Sequence, residues 1–127
     1  DLYRRMGSPR YIVAPMVNQS ELEFRMLCRN HGSHLGYTPM YHARQFAENK
    51  KYRTAFTTAP EDRPVIVQFA GDDPDTLVKA AKFVEGQCDA VDINLGCPQG
   101  IARKGHYGAF LLEELPLLQR IGTHQPR

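Results

Sequence analysis

The feature that most limits what this chain can fold into is a rhythm: four short runs of β-branched and apolar residues, each followed by a stretch with helical periodicity. Tyr11–Val17 is the first run, stopping at Pro15-Met16. Ser20 then precedes an acidic first turn with Glu23 at the capping-box position, and Leu22, Met26 and Leu27 form an apolar stripe beside Cys28. Asn30-His31-Gly32 closes that helix, glycine being the residue that takes a left-handed C-terminal conformation without strain. Leu35–Tyr41 reads as the second strand, broken at Pro39-Met40, and residues 42–51 as a short helix or helical turn. Pro64 announces the third strand, Val65–Phe69. Gly71-Asp72-Asp73-Pro74 then opens a helix predicted over Asp75–Glu85, with Leu77, Ala80, Ala81 and Val84 on one face. The fourth strand, Ala90–Asn94, runs into Leu95-Gly96-Cys97-Pro98, and a last helix is predicted from Tyr107 to Ile121, bent or divided by Pro116.

Strands of this kind alternating with helices make a parallel α/β sheet. Two architectures accept four such units. A small open doubly wound sheet suits a length of 127 residues. The alternative is the first half of a TIM barrel, whose whole spans ~250 residues. The strand ends favour the barrel: Pro15-Met16, Pro39-Met40, Gln68 and Asn94 to Cys97 all fall at the C-terminal edge, where a barrel assembles its site from several strands. Residues 1–121 are read as that half-barrel, and residues 122–127 as a frayed or non-native tail.

Hydrophobic residues make up 42% and charged residues 24%, which excludes collagen-like, low-complexity and disordered classes. No run approaches the ~20 apolar residues of a membrane span, and Asp1-Leu2-Tyr3-Arg4-Arg5 lacks a signal-peptide core. Asp at position 1 marks a processed chain or a piece of a longer one. Cys28, Cys88 and Cys97 are odd in number and have no metal-binding spacing, which points away from a disulfide scaffold and towards a reducing compartment, cytoplasmic or nuclear. The five histidines show no HxH or HExxH pattern, so no metal site is expected. Residues 1–64 carry 10 Lys/Arg against 6 Asp/Glu, and residues 65–127 carry 6 against 8, so the first half permits a polyanionic partner without demanding one.

Four motifs, in order and in spacing, carry a resemblance. Ala14-Pro15-Met16-Val17 with Ser20-Glu21-Leu22-Glu23-Phe24-Arg25, Tyr37-Thr38-Pro39-Met40, Gln68-Phe69-Ala70-Gly71 and Asp92-Ile93-Asn94-Leu95-Gly96-Cys97-Pro98 closely resemble the tRNA-dihydrouridine synthases from about Gly7 to about Glu113. The continuation Gln99 to Leu111 looks most like the eukaryotic branch acting on neighbouring D-loop uridines. The resemblance implies an FMN-containing TIM barrel followed by a helical tRNA-binding domain. It implies reduction of the uracil C5=C6 bond in tRNA, with NADPH reducing the flavin first. By that comparison Pro15, Met16 and Val17 border the flavin ring, Gln68 bonds its polar edge, Asn94 positions flavin or substrate, and Cys97 is the catalytic acid. It also places the lysine and histidine that contact the cofactor, and its phosphate site, on later strands than these four.

Residue chemistry agrees with those roles. Uracil reduction needs a hydride donor facing C6 and a proton donor near C5. A free thiol with an ordinary pKa of ~8.5 is mostly protonated at neutral pH and serves as general acid. Pro15-Met16 offers a soft apolar edge to a flat ring, and Gln68 has the donor and acceptor that a flavin pyrimidine edge needs.

Plainer readings stand beside these. Cys97 has a reading as a small buried hydrophobe at a strand end, the better one for Cys28 and Cys88. Met16 and Met40 have one as core fillers, and Asn94 one as a turn former before Gly96. Gln68, polar in an apolar strand, needs a partner, either a cofactor edge or a local backbone group. His42, Arg44, the Lys50-Lys51-Tyr52-Arg53 run, Arg103 and Lys104 face RNA or only solvent. Three functions follow: an FMN-dependent tRNA-uridine reductase represented by its amino-terminal half, a non-catalytic half-barrel that pairs or binds a partner through its open strand edges, and an FMN barrel acting on another dihydropyrimidine-like ring, against which the Gly-Cys-Pro turn and its Lys-Gly-His-Tyr-Gly-Ala continuation argue.

Overall fold

A computed structural model describes residues 1–124. Its five strands, all parallel, are β1 (Ile12–Val13), β2 (Leu35–Tyr37), β3 (Tyr41–His42), β4 (Val65–Ala70) and β5 (Ala90–Ile93). β1 lies beside β2, with Ile12 opposite Leu35. β2 pairs with the start of β4 (Gly36 opposite Val65) and β3 with its end (Tyr41 opposite Phe69), while β5 takes the other edge of β4 (Gln68 opposite Asp92). β2 and β3 are thus one strand position interrupted at Thr38-Pro39-Met40, where proline has no N–H for the ladder. The four positions run in chain order without the reversal that defines a doubly wound sheet, which is the order of consecutive barrel units.

The helices between strands are α2 (Leu22–Asn30), α3 (Ala43–Glu48), α4 (Lys50–Arg53) and α5 (Pro74–Lys82), with α1 (Leu2–Arg5) ahead of β1. Side chains alternate along β4. Val67 and Phe69 face α3 and α5 in a core with Tyr41, Phe46, Ala47, Leu77, Ala80 and Val84. Ile66, Gln68 and Ala70 therefore face the opposite side, the interior side of a barrel. Phe46 meets Phe69 edge to face at 5.2 Å and Tyr41 in a tilted arrangement at 5.3 Å. Burial pushes the Tyr41 phenol up to about 12, and its hydroxyl donates to the Ala55 carbonyl. Apolar burial of this kind is the main driving force for the fold.

Several expected details are corrected. The first strand is two residues, because Ala14-Pro15-Met16 leaves the ladder. Ser20 does not cap α2: its Oγ accepts from Met16 N–H at 2.9 Å and donates to the Met16 carbonyl, closing the loop after β1. The helix expected over 42–51 is two helices, broken at Asn49, whose Oδ1 caps α4. The helix expected over 75–85 spans Pro74–Lys82. The single helix expected over 107–121 is two elements, a 3-10 turn at Gly108–Leu111 and a helix over Leu115–Thr123 (α7), and an unexpected short helix, α6 (Gly100–Gly105), precedes them. Pro116 sits in the first turn of α7, where a missing N–H costs nothing, so it starts that helix rather than bending it. Of the expected tail, Gly122 and Thr123 belong to α7 and His124 bonds Asp75 at 2.8 Å, while residues 125–127 lie outside the described residues. The three cysteines are free thiols, and no helix among the described residues is long and apolar enough to cross a membrane.

Candidate active site

Parallel strands put the four irregular strand ends on one edge of the sheet, and a hydrogen-bonded chain of side chains crosses it. Gln68 and Asp92 are opposite each other on β4 and β5, and Asn94 follows Asp92 with strand periodicity, so all three share the interior face. Gln68 Nε2 donates to Asp92 Oδ2 at 2.7 Å, and Asn94 Nδ2 donates to Gln68 Oε1 at 3.0 Å. Asn94 Oδ1 in turn accepts the N–H groups of Gly96 (3.1 Å) and Cys97 (2.9 Å). The amide of Asn94 is therefore the turn former that the sequence offers, and it also links Gln68 to the Cys97 backbone.

Gln68 is 6% exposed, and it is met by side chains from β5 and the turn after it. A primary amide has two N–H donors and two acceptor lone pairs. One of each is used here, leaving one donor and one acceptor for a further group. The Gln68 backbone N–H is met by Thr38 Oγ1 at 3.2 Å, at the gap between β2 and β3. Thr38, fully buried, thus replaces the ladder bond lost at the interruption.

Cys97 is half-buried and packs with Met40 and Phe110 against Ala70, Ala102 and Tyr107. Tyr107 is buried. That burial, with the Cys97 thiol nearby, raises its phenol above the usual range and keeps it neutral at ordinary pH. The His42 ring meets Tyr107 edge to face at 5.6 Å, and its buried Nδ1 has no hydrogen-bond partner among the described residues. Burial, assisted by Arg44, holds His42 below the ordinary imidazole pKa. Pro15 and Met16 are half-buried and Val17 is exposed on the loop fixed by Ser20. Val17, Pro39, Met40, Tyr41 and Tyr52 line a recess of about 180 Å³ on this rim.

The basic residues divide. Arg44 and Lys104 line a second recess of about 240 Å³ with His42, Asp72 and Asp73, and Arg103 is exposed. Arg53 is half-buried: it donates to the Phe46 carbonyl at 2.7 Å and stacks on Phe83 at 3.9 Å, contacts that serve the fold. Asp92 was missed from the sequence although its signal was present, two residues before Asn94 on a strand. Thr38 and Tyr107 had no comparable signal, since both act through residues distant in sequence.

A sequence model of the dihydrouridine synthase (Dus) family matches residues 12–124. The tRNA-dihydrouridine(16/17) synthase of Saccharomyces cerevisiae is 55% identical over 124 residues, which cover 94% of this chain and 29% of that protein. A tRNA-dihydrouridine(16/17) synthase-like protein of Mus musculus is 54% identical over 121 residues, 93% of this chain and 26% of that one. More distant is a tRNA-dihydrouridine(20a/20b) synthase-like protein of Homo sapiens, 44% identical over 109 residues, 85% of this chain and 34% of that one. This chain spans about a third or less of these relatives, and its strand order, its rim and the matched residues together show that it belongs to the dihydrouridine synthase family.

Proposed function

We propose that this chain supplies the first half of an FMN-binding barrel that reduces uridine to 5,6-dihydrouridine in the D-loop of tRNA with NADPH, in the cytoplasm or nucleus. The observation that carries this reading is the hydrogen-bonded series Gln68–Asn94–Cys97 on one rim. The residues fit a flavin edge. Gln68 retains one donor and one acceptor, and Pro15, Met16 and Val17 stand on the neighbouring loop of the same rim. An FMN held by these residues would supply the hydride chemistry at uracil C6, with NADPH as the source of electrons. Cys97 holds a proton at Sγ and delivers it to C5, so that one hydride and one proton add across the double bond. Gln68 and Asn94 orient the planar partner by their amides, and Asn94 fixes the turn that carries the thiol.

The alternative, a non-catalytic half-barrel, draws support from the edges: Ile12 on β1 and Val91 on β5 are exposed. By itself the 127-residue chain is expected to show no uridine reduction and weak or no FMN binding. The test grafts this chain onto the Saccharomyces cerevisiae relative in place of its counterpart. The chimera should form dihydrouridine in tRNA. Cys97→Ala should lower that rate ~100-fold or more, the scale of a lost general acid, and leave NADPH-dependent flavin reduction nearly unchanged. Normal tRNA turnover in the Cys97→Ala chimera would remove Cys97 from the mechanism.

A further inference from the structure

The turn that carries Cys97 is gripped from two sides. On one side is the Asn94 amide. On the other, the Cys97 carbonyl accepts the Ala109 N–H at 3.0 Å. Next to it Gly108 has φ +69, and a Cβ there would stand 2.5 Å from the Cys97 carbonyl oxygen and 3.0 Å from Cys97 Cβ. Two independent constraints therefore meet at Gly108. A left-handed φ disfavours any side chain, and the clash is with backbone, which cannot swing aside as the tip of a side chain can. Tyr107 and Ala102 complete the wall against which Cys97 packs.

We infer that Gly108, with the Ala109 N–H, is a positioning residue for Cys97: it fixes the Cys97 peptide plane and hence the direction in which the thiol leaves the backbone. Asn94 belongs to the end of β5, whereas residues 107–109 arrive from a separate segment after α6. The thiol is thus set by two elements that meet only in the folded chain. Its functional meaning rests on Cys97 being the proton donor; its geometry does not.

The test measures iodoacetamide alkylation of each cysteine in the 127-residue chain by mass spectrometry, with Cys28 as the internal reference. Gly108→Ala should raise the Cys97 rate relative to Cys28 at least about five-fold, because a freed turn exposes the sulfur. Gly86→Ala is the control. Gly86 has φ +77 and nothing within 4 Å, so alanine there imposes backbone strain without a clash, and the Cys97 rate should stay within about two-fold of the parent. An unchanged Cys97 rate in Gly108→Ala, or an equal rise in Gly86→Ala, overturns the inference. Should Gly108→Ala not fold, hydrogen exchange in the unaltered chain decides. The Ala109 amide should be protected at least about ten-fold over the free-peptide rate, and exchange at the free-peptide rate overturns the clamp. None of these readouts depends on turnover, so loss of Cys97 from the mechanism in the chimera would leave the clamp intact, and the reverse also holds.

Discussion

Asp62→Ala should destabilise the chain by about 3–5 kcal/mol, the cost of stranding a buried charge. Asp62 is fully buried and Arg25 is 1% exposed. Arg25 Nε donates to both Asp62 carboxylate oxygens at 3.1 Å, and Nη2 reaches Oδ2 at 2.6 Å. Arg25 Nη1 also donates to the Ser20 carbonyl at 2.7 Å and Nη2 to the Thr57 carbonyl at 2.9 Å. Truncating Asp62 leaves those last two bonds and orphans the Nε–H and one Nη2–H. Each orphan costs about 1–3 kcal/mol, so two orphans give about 2–6 kcal/mol, a range that brackets the buried-pair figure. Arg25 cannot escape by moving towards β2, because Gly36 already leaves only the space its Cδ fills: a Cβ on Gly36 would lie 2.9 Å away. For a chain of this size the loss lowers Tm by roughly 10–20 °C.

The assay is urea unfolding at pH 7 followed by far-UV circular dichroism, with unchanged m-values as the check on two-state behaviour. Arg25→Met combined with Asp62→Leu removes the charge together with its partner and should recover more than half of the loss. A cost below about 1 kcal/mol for Asp62→Ala, or a double variant no better than the single one, would refute the reasoning. The pair also borders the rim: Arg25 holds the Ser20 carbonyl, and Ser20 Oγ holds the backbone of Met16 in the loop that bears Pro15, Met16 and Val17.

Three further outcomes follow from other contacts. Asn94→Ala removes three hydrogen bonds at a half-exposed position and should cost about 1–2 kcal/mol, read as a lower urea midpoint; no shift would mean that the Gln68–Asn94–Cys97 series is not formed. His106 lies between Asp72 (2.6 Å) and Glu114 (2.5 Å), and those hydrogen bonds raise its pKa above the ordinary imidazole value of 6.5. A raised folded-state pKa means that its stabilisation is full below 6.5 and is lost as pH rises through the folded value. The Tm advantage of the parent over His106→Asn should thus shrink between pH 6 and pH 9, asparagine being chosen because residue 106 has φ +52. An advantage that stays flat or grows over that range contradicts the bridge. Arg53→Met should lower stability by about 1–2 kcal/mol through its lost carbonyl bonds and stacking and leave tRNA binding by the chimera unchanged; a tRNA-binding defect without a stability loss would place Arg53 on the RNA surface.

Much of the fold was legible because it is written locally. Strand Val65–Ala70 shows as a β-branched run after Pro64, helix Pro74–Lys82 as an apolar stripe after Asp73, and the break at Pro39-Met40 as a proline where a ladder needs a donor. Such signals depend on neighbours a few residues away, so one chain read in order suffices. Ser20 and residues 107–121 were misread for the converse reason. Ser20 has the chemistry of a helix cap but is taken by Met16, four residues back. Gly108 meets Cys97 from eleven residues away, which divides what periodicity presents as a single helix.

The site divides along the same line. The sequence by itself determined which side chains reach the rim, since strand alternation puts Gln68, Asp92 and Asn94 on one face and the strand ends put Met16 and Cys97 on one edge. Only the tertiary structure decided what those side chains touch. Gln68 is bonded by Asp92 and Asn94 because β5 lies in register beside β4, and Cys97 is held by Ala109 because the segment after α6 folds back onto it. Strand periodicity is a property of the backbone and survives without neighbours, whereas a hydrogen bond between side chains 24 or 26 residues apart exists only once pairing has set the register.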